Sequence, residues 1–572
     1  MISNLDYFLE SVGKTRSVSV PPHLSIIIVG DPVDPETGEA ADLVASDLMG
    51  LNLLEAAEFV QSNFAGDTVF ILEMASGFVI VRPAFSELPL YYRQNTDGIE
   101  IWSDRVIPDL LSRAPVGFDI GYLSLAMHNW SLVSPRTGLL GVSELLSGAM
   151  LIYDGNRPVQ KDFLVQSALD LEFDAQTDYD YQVAQIRSLI LNSIKHKIGS
   201  KLDRTCIQCS GGVDSSVVAV GAKFLYPAQT LPLIHCYSEN DPHGDERFYF
   251  QTVANRLSWP SNLVDMYIGS SNLNLTPDLL LKTVRPVKSA AALSTMATLK
   301  GLALKNNADT MLAGDGGDQL FILNNPLLYT REIVGEASDL VEKFRRCNDL
   351  AIMGRETIWS VASEMWNGAR SEGLRERFFG PLRFPHNQLA RIPPPENAQV
   401  IPEGDKLKHF ETSRAFQFFG MRNAELNHIP VKGYEVEERK TFVFWPLIRA
   451  ALAAKRMFHL KDGRDRAMER DAFRSELPPE VYNRHSKGGS RDFVERYDFE
   501  ALIANLRTGP LSRHGLLSTR INEIDAADVD SDLAHSLVVA QGLSDWMELH
   551  EQRQENFSSD SARNTLERTF TT

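Results

Sequence analysis

The chain has 572 residues, a formal net charge of −18 and a hydrophobic content of 43%. That length implies about two to four domains, and the composition is that of a folded globular protein rather than a disordered one. The acidic balance argues against general nucleic-acid binding, which needs clustered Lys and Arg. The chain also lacks an apolar run of membrane-spanning length and a basic-then-apolar start, so the expected location is the cytoplasm, with no membrane partner.

Short apolar runs at 25–29, 68–72, 77–81, 98–102 and 149–153, separated by Gly, Pro, Asn and Asp, predict a β-rich first unit. An acid-rich stretch at 170–180 leads into Val183, Ile186, Ile190 and Ile194, whose spacing predicts a helix ending at Gly199. From 200 to 325 strand and helix alternate: strands at 205–209, 233–237 and 310–313, helices from Ser215, over 245–257 and over 289–306. This alternation predicts a parallel sheet with ligands at the carboxyl ends of its strands. Residues 326–555 read as mainly helical. The expected division is 1–168, 169–555 and a polar, partly ordered tail at 556–572.

The strand at 205–209 runs into Cys209-Ser210-Gly211-Gly212-Val213-Asp214-Ser215-Ser216. Its glycines let backbone N–H groups surround a phosphate, and Ser210, Ser215 and Ser216 add hydroxyl donors at a helix N-terminus. Asp214 in such a cradle needs a cation between itself and the phosphate, which makes it a candidate Mg2+ ligand. No Lys follows the glycines, so this is not a Walker A loop. The strand at 310–313 ends in Gly314-Asp315-Gly316-Gly317-Asp318-Gln319. Asp318 is the expected second metal ligand, and Gly314 and Gly316 the points where backbone passes close to nucleotide. Cys206 and Cys209 form a C-x-x-C, but side chains three apart on a strand face opposite ways, so both are expected to be buried and structural.

The first loop resembles the SGGxDSS loop of ATP pyrophosphatases. The two loops together resemble the asparagine synthetase superfamily, with Asp315 and Gln319 standing where that family usually has Glu. The likeness continues through Gly463-Arg464-Asp465-Arg466, Leu477-Pro478 and Arg484-His485-Ser486-Lys487-Gly488-Gly489. It implies Lys487 as the essential lysine that neutralises charge during amide formation, Arg464 or Arg466 near pyrophosphate, and Asp315 in acid–base or positioning work. A solvated basic loop is the alternative for 484–487.

The first unit resembles the glutaminase domain of the same superfamily through Gly77-Phe78-Val79-Ile80, Leu88-Pro89-Leu90-Tyr91-Tyr92 and Ile101-Trp102-Ser103-Asp104. The resemblance implies an Ntn-hydrolase-like α/β/β/α sandwich followed by a PP-loop-type α/β synthetase domain with a helical C-terminal part. Glutaminase members begin Met-Cys. This sequence begins Met1-Ile2 and its first cysteine is Cys206, so glutamine hydrolysis is not expected. The Asp-Gly-Gly-Asp loop, the Gly-Arg-Asp-Arg segment and the Ser-Lys-Gly-Gly loop resemble the lasso-peptide macrolactam synthetase branch. That branch implies ATP and Mg2+ as cofactors, a precursor peptide as substrate, and as partners a leader peptidase and a leader-recognition protein. β-Lactam synthetases, ammonia-dependent asparagine synthetases, tRNA-modifying PP-loop enzymes and an inactive scaffold are the alternatives.

Overall fold

The computed structural model describes residues 2–12, 14–103, 117–128, 132–171, 178–237, 244–265, 283–286, 290–321, 329–367, 387–393, 406, 411–485 and 497–570. It is a mixed α/β protein with antiparallel sheets in its first part and a parallel sheet flanked by helices in its second.

The first part carries strands β1 (Thr15–Val20), β2 (Leu24–Gly30), β3 (Thr68–Met74), β4 (Gly77–Arg82), β5 (Tyr91–Asn95), β6 (Gly98–Trp102), β7 (Ser143–Glu144), β8 (Ala149–Tyr153) and β9 (Val159–Asp162). Each predicted run in this part is a strand; β1, β5, β7 and β9 are additional. The large sheet has the order β1-β2-β3-β4-β8-β9, and β6-β5-β7 form a smaller one. Alternate side chains of β2–β4 feed two cores. Ile26, Ile28, Phe70, Leu72, Val79 and Val81 pack with Ala56, Ala57 and Val60 of the helix Leu53–Asn63. Val69, Ile71, Phe78 and Ile80 belong to a core that runs on through Ile190 and Ile194 into Phe444 and Trp445. Phe85 stacks on Trp445 with ring centroids 5.7 Å apart. The antiparallel part is therefore fused to the rest through continuous apolar packing.

In the second part, β10 (Thr205–Gln208), β11 (Leu233–Tyr237), β12 (Ser261–Asp265), β13 (Thr310–Ala313) and β14 (Glu437–Lys440) form a sheet ordered β12-β11-β10-β13-β14. All of its pairings are parallel, with Ile207 opposite Leu233 on one side and Leu312 on the other. Strand order reverses between β10 and β13. Loops leaving neighbouring strands there diverge to opposite faces, opening a crevice at their carboxyl ends. Both predicted glycine-rich loops leave the sheet at that place.

Local readings need three corrections. The helix after the first loop spans Val213–Leu225, not from Ser215, because Gly212 is its N-cap and Val213 is buried. Asp214 thus sits in a first helical turn. Strands β12 and β14 went unpredicted. The stretch expected as a partly ordered tail continues the helix Ser531–Phe570. Cys206 and Cys209 are fully buried in different cores, with thiols pushed by burial up to about 12 and about 11. No helix among the described residues is long and apolar enough to cross a membrane.

Candidate active site at the switch point

A cavity of about 200 Å3 opens at the ends of β10 and β13. Ser210, Gly212, Asp214 and Ser215 from the first loop line it, with Gly314, Asp315, Gly316, Asp318 and Gln319 from the second. Glu246, Asp465, Arg466, Arg470, Arg484 and His485 complete the wall.

Glycine is required here mostly by crowding. Gly211 has φ +79°, and a Cβ on it would lie 2.4 Å from the Phe250 nitrogen, so it lets the loop cross the start of the helix Arg247–Leu257. It is a packing residue and is not in the cavity wall. A Cβ on Gly314 would lie 2.7 Å from the Ser215 nitrogen, so the two loops touch backbone to backbone. Ser215 Oγ accepts from the Ser210 N–H at 3.1 Å and fixes the loop's curl. Ser216, expected as a phosphate donor, is fully buried and does not line the cavity, because its position on the new helix faces the core.

The two candidate metal carboxylates come together across one guanidinium. Arg466 Nε lies 2.8 Å from Asp214 Oδ1, and its terminal nitrogen contacts Asp318 Oδ1. Both Asp214 Oδ1 and Arg466 Nε are buried, yet neither makes an aligned hydrogen bond. The backbone of Arg466 is left-handed, at φ 55° and ψ 32°, where it caps the helix Ala467–Ala472. Such a conformation in a non-glycine residue costs on the order of 1–3 kcal/mol and needs a reason. Burial would lower the Arg466 pKa, but the charges of Asp214, Asp465 and Glu469 hold it above the ordinary value. Beneath, burial and then the Asp214 charge push the Glu469 carboxyl well above the carboxylate range.

Arg464 is turned aside, donating to Asn483 Oδ1 at 2.7 Å. Arg484 is buried rather than solvated. It donates to the Gly211 carbonyl at 3.2 Å, pairs with Glu246 at 2.6 Å and lies over the Tyr249 ring. Arg470 donates to the carbonyls of Asp465, Val481, Tyr482 and Arg484, tying this segment to itself. Lys487, with Ser486, Gly488 and Gly489, lies outside the described residues.

Sequence reasoning missed Glu438. It sits on β14 beside Asp315, between the buried lysines Lys300 and Lys440. Burial raises its pKa, Lys440 opposes that and Asp315 adds to it, leaving Glu438 at about 7. Two carboxyls sharing a site in this way are suited to accept and return a proton near neutrality.

Among the described residues no group of three or more His, Cys, Asp or Glu is placed to hold a metal ion alone. A pair of carboxylates facing a cavity with backbone and hydroxyl donors is nevertheless the donor set Mg2+ uses when phosphate oxygens and water supply the remaining ligands. The buried, unaligned Asp214 oxygen fits that use. Asp214 and Asp318 are the residues that would hold the ion.

The asparagine synthase family model matches residues 185–523, more than half of the chain, and the chain belongs to that family. No curated protein matches it. Membership supports an ATP-dependent, amide-forming ligase.

Proposed function

From that membership we propose that the switch-point cavity binds Mg-ATP and that the chain is a lasso-peptide cyclase, closing a macrolactam within a precursor peptide. In this reading the second part, from about residue 169, is a PP-loop-type synthetase domain. The first is an Ntn-like sandwich retained without glutaminase chemistry, consistent with the absence of cysteine from residues 1–168. The observation that carries the proposal is the convergence of Asp214 and Asp318 on one buried cation at the switch point.

Ser210, Gly212 and Ser215 would face the phosphates, with the helix Val213–Leu225 directing its N-terminus at them. A side-chain carboxylate of Asp or Glu in the peptide attacks the α-phosphorus, and the bond to pyrophosphate breaks. Magnesium, when bound, offsets the charge of the phosphates. The peptide's N-terminal amine then attacks the acyl carbon. Its proton passes to the Asp315–Glu438 pair, AMP leaves with the electron pair of the broken C–O bond, and an isopeptide remains. A lysine at position 487 would stabilise the oxyanion. Holding amine and acyl group together supplies much of the rate. A leader peptidase, which frees the amine, and a leader-recognition protein are the proposed partners.

The test is incubation of the protein with precursor, peptidase and Mg-ATP. The expected product is lighter than the linear core by one water, with AMP and pyrophosphate formed in equal amounts. Unchanged core peptide, with pyrophosphate released instead on adding a small β-amino acid or aspartate plus ammonium, would reject the cyclase reading.

A further inference from the structure

The position of Arg466 is unusual for a residue read as a phosphate ligand. Its guanidinium lies between the two carboxylates themselves, contacting Asp214 and Asp318 together. It is almost fully buried, with Asp465 a further 3.6 Å away. The contact with Asp214 is close but poorly directed, since neither participating atom makes an aligned hydrogen bond. The backbone beneath it is held in a left-handed conformation that arginine rarely adopts. Its amide N–H donates to the Phe321 carbonyl at 3.3 Å, so the second loop's own helix, Gly317–Phe321, helps set that conformation. A planar guanidinium also matches phosphate, which it grips with two parallel N–H groups better than a misaligned carboxylate.

We propose that Arg466 competes with the divalent cation for Asp214 and Asp318, and that a phosphate group decides the contest by drawing the guanidinium away. Metal then binds with the nucleotide and poorly without it. This rests on the Mg-ATP reading above. An ion entering while Arg466 holds the pair meets a like charge inside a buried site. When pyrophosphate pairs with the guanidinium, both carboxylates are released from it to the cation.

The test is manganese binding by equilibrium dialysis, with and without inorganic pyrophosphate, for the wild type, Arg466→Met and Arg466→Lys. The wild type should bind Mn2+ at least about tenfold more tightly with pyrophosphate than without, within the usual range of coupling between two sites. Arg466→Met should bind Mn2+ alone at least about tenfold more tightly than the wild type and lose most of the pyrophosphate effect. Arg466→Lys, which keeps the charge but not the fork, should fall between. Should Arg466→Met fail to fold by circular dichroism, the lysine variant and the wild-type pair of measurements carry the test. Tight Mn2+ binding by the wild type without pyrophosphate, or no gain in affinity in either variant, overturns the proposal. Failure of the wild type to bind Mn2+, pyrophosphate or ATP in any combination overturns the nucleotide reading instead.

Discussion

Lys197 and Arg466 are both buried cations that bridge two carboxylates, and they differ in geometry and surroundings. Lys197 Nζ places its donors on Asp67, at 2.9 and 3.2 Å, and on Glu87, at 2.6 Å. It extends from a regular helix, Tyr179–Ile198, at the seam between the two parts. Burial alone would lower its pKa, yet the two carboxylates hold it above the ordinary value. Arg466 borders a cavity, is poorly aligned with Asp214 and rests on a strained backbone. The lesson is that burial and pairing do not by themselves identify a functional charge. Misalignment, strain and an adjacent cavity separate the charge that exchanges partners from the one that holds the fold.

The largest effect expected from breaking this contrast is at Lys197. Lys197→Met removes the ammonium that Asp67 and Glu87 share and should cost about 3–5 kcal/mol in urea unfolding. Arg466→Met should cost less, about 1–2 kcal/mol, because water reaches the cavity. Equal losses would erase the distinction. Next, Asp214→Ala and Asp318→Ala should lower ATP–pyrophosphate exchange by about 10²–10³ while leaving the unfolding midpoint near that of the wild type. A variant that keeps exchange removes that carboxylate from the site.

Gly211→Ala should destabilise by about 1–3 kcal/mol, since the new methyl meets backbone at a positive φ. The same change at Gly155, also at positive φ but with nothing within 4 Å, should cost less. The smallest effect concerns pH. Glu438 has a folded pKa near 7, above its unfolded value of 4.5. Its contribution is fully present below about pH 4.5 and is lost as pH rises toward 7, where the unfolded chain has already released the proton. Glu438→Gln should therefore flatten the fall in stability between pH 5 and 7, measured by urea unfolding at both pH values. An unchanged slope would mean the proton resides elsewhere.

The sequence made β10 and β13 legible because each is a short apolar run ending abruptly in glycines and acids. The same density of Gly, Ser and Asp marked Ser210–Ser215 and Gly314–Asp318. It did not show which glycines face a ligand and which avoid a neighbour, since adjacent Gly211 and Gly212 look alike in sequence and differ in backbone conformation and packing. Strand β14 was invisible because it reads Glu-Glu-Arg-Lys, and hydrophobic periodicity treats charge as exposure. Glu438 and Lys440 are nonetheless buried, the Lys440 ammonium resting on the carbonyls of Ala424 and Asn427. Glu246 was missed as an isolated charge distant in sequence from the motifs, and Glu469 and Arg470 because charges beside a motif read as a solvated face. Spacing gave one unused signal: Glu469 and Arg470 follow Arg466 by three and four residues, which places them on one side of a helix.

The backbone N–H of Lys440 donates to Glu87 at 3.2 Å, so a carboxylate from the antiparallel part grips the strand that presents Glu438. Excising residues 1–168 would strip Lys197 of both counter-ions and loosen that strand in a single cut. A shortened chain would then lose twice, in stability and in the placement of Glu438. The antiparallel part thus serves as a brace that the rest of the chain cannot jettison.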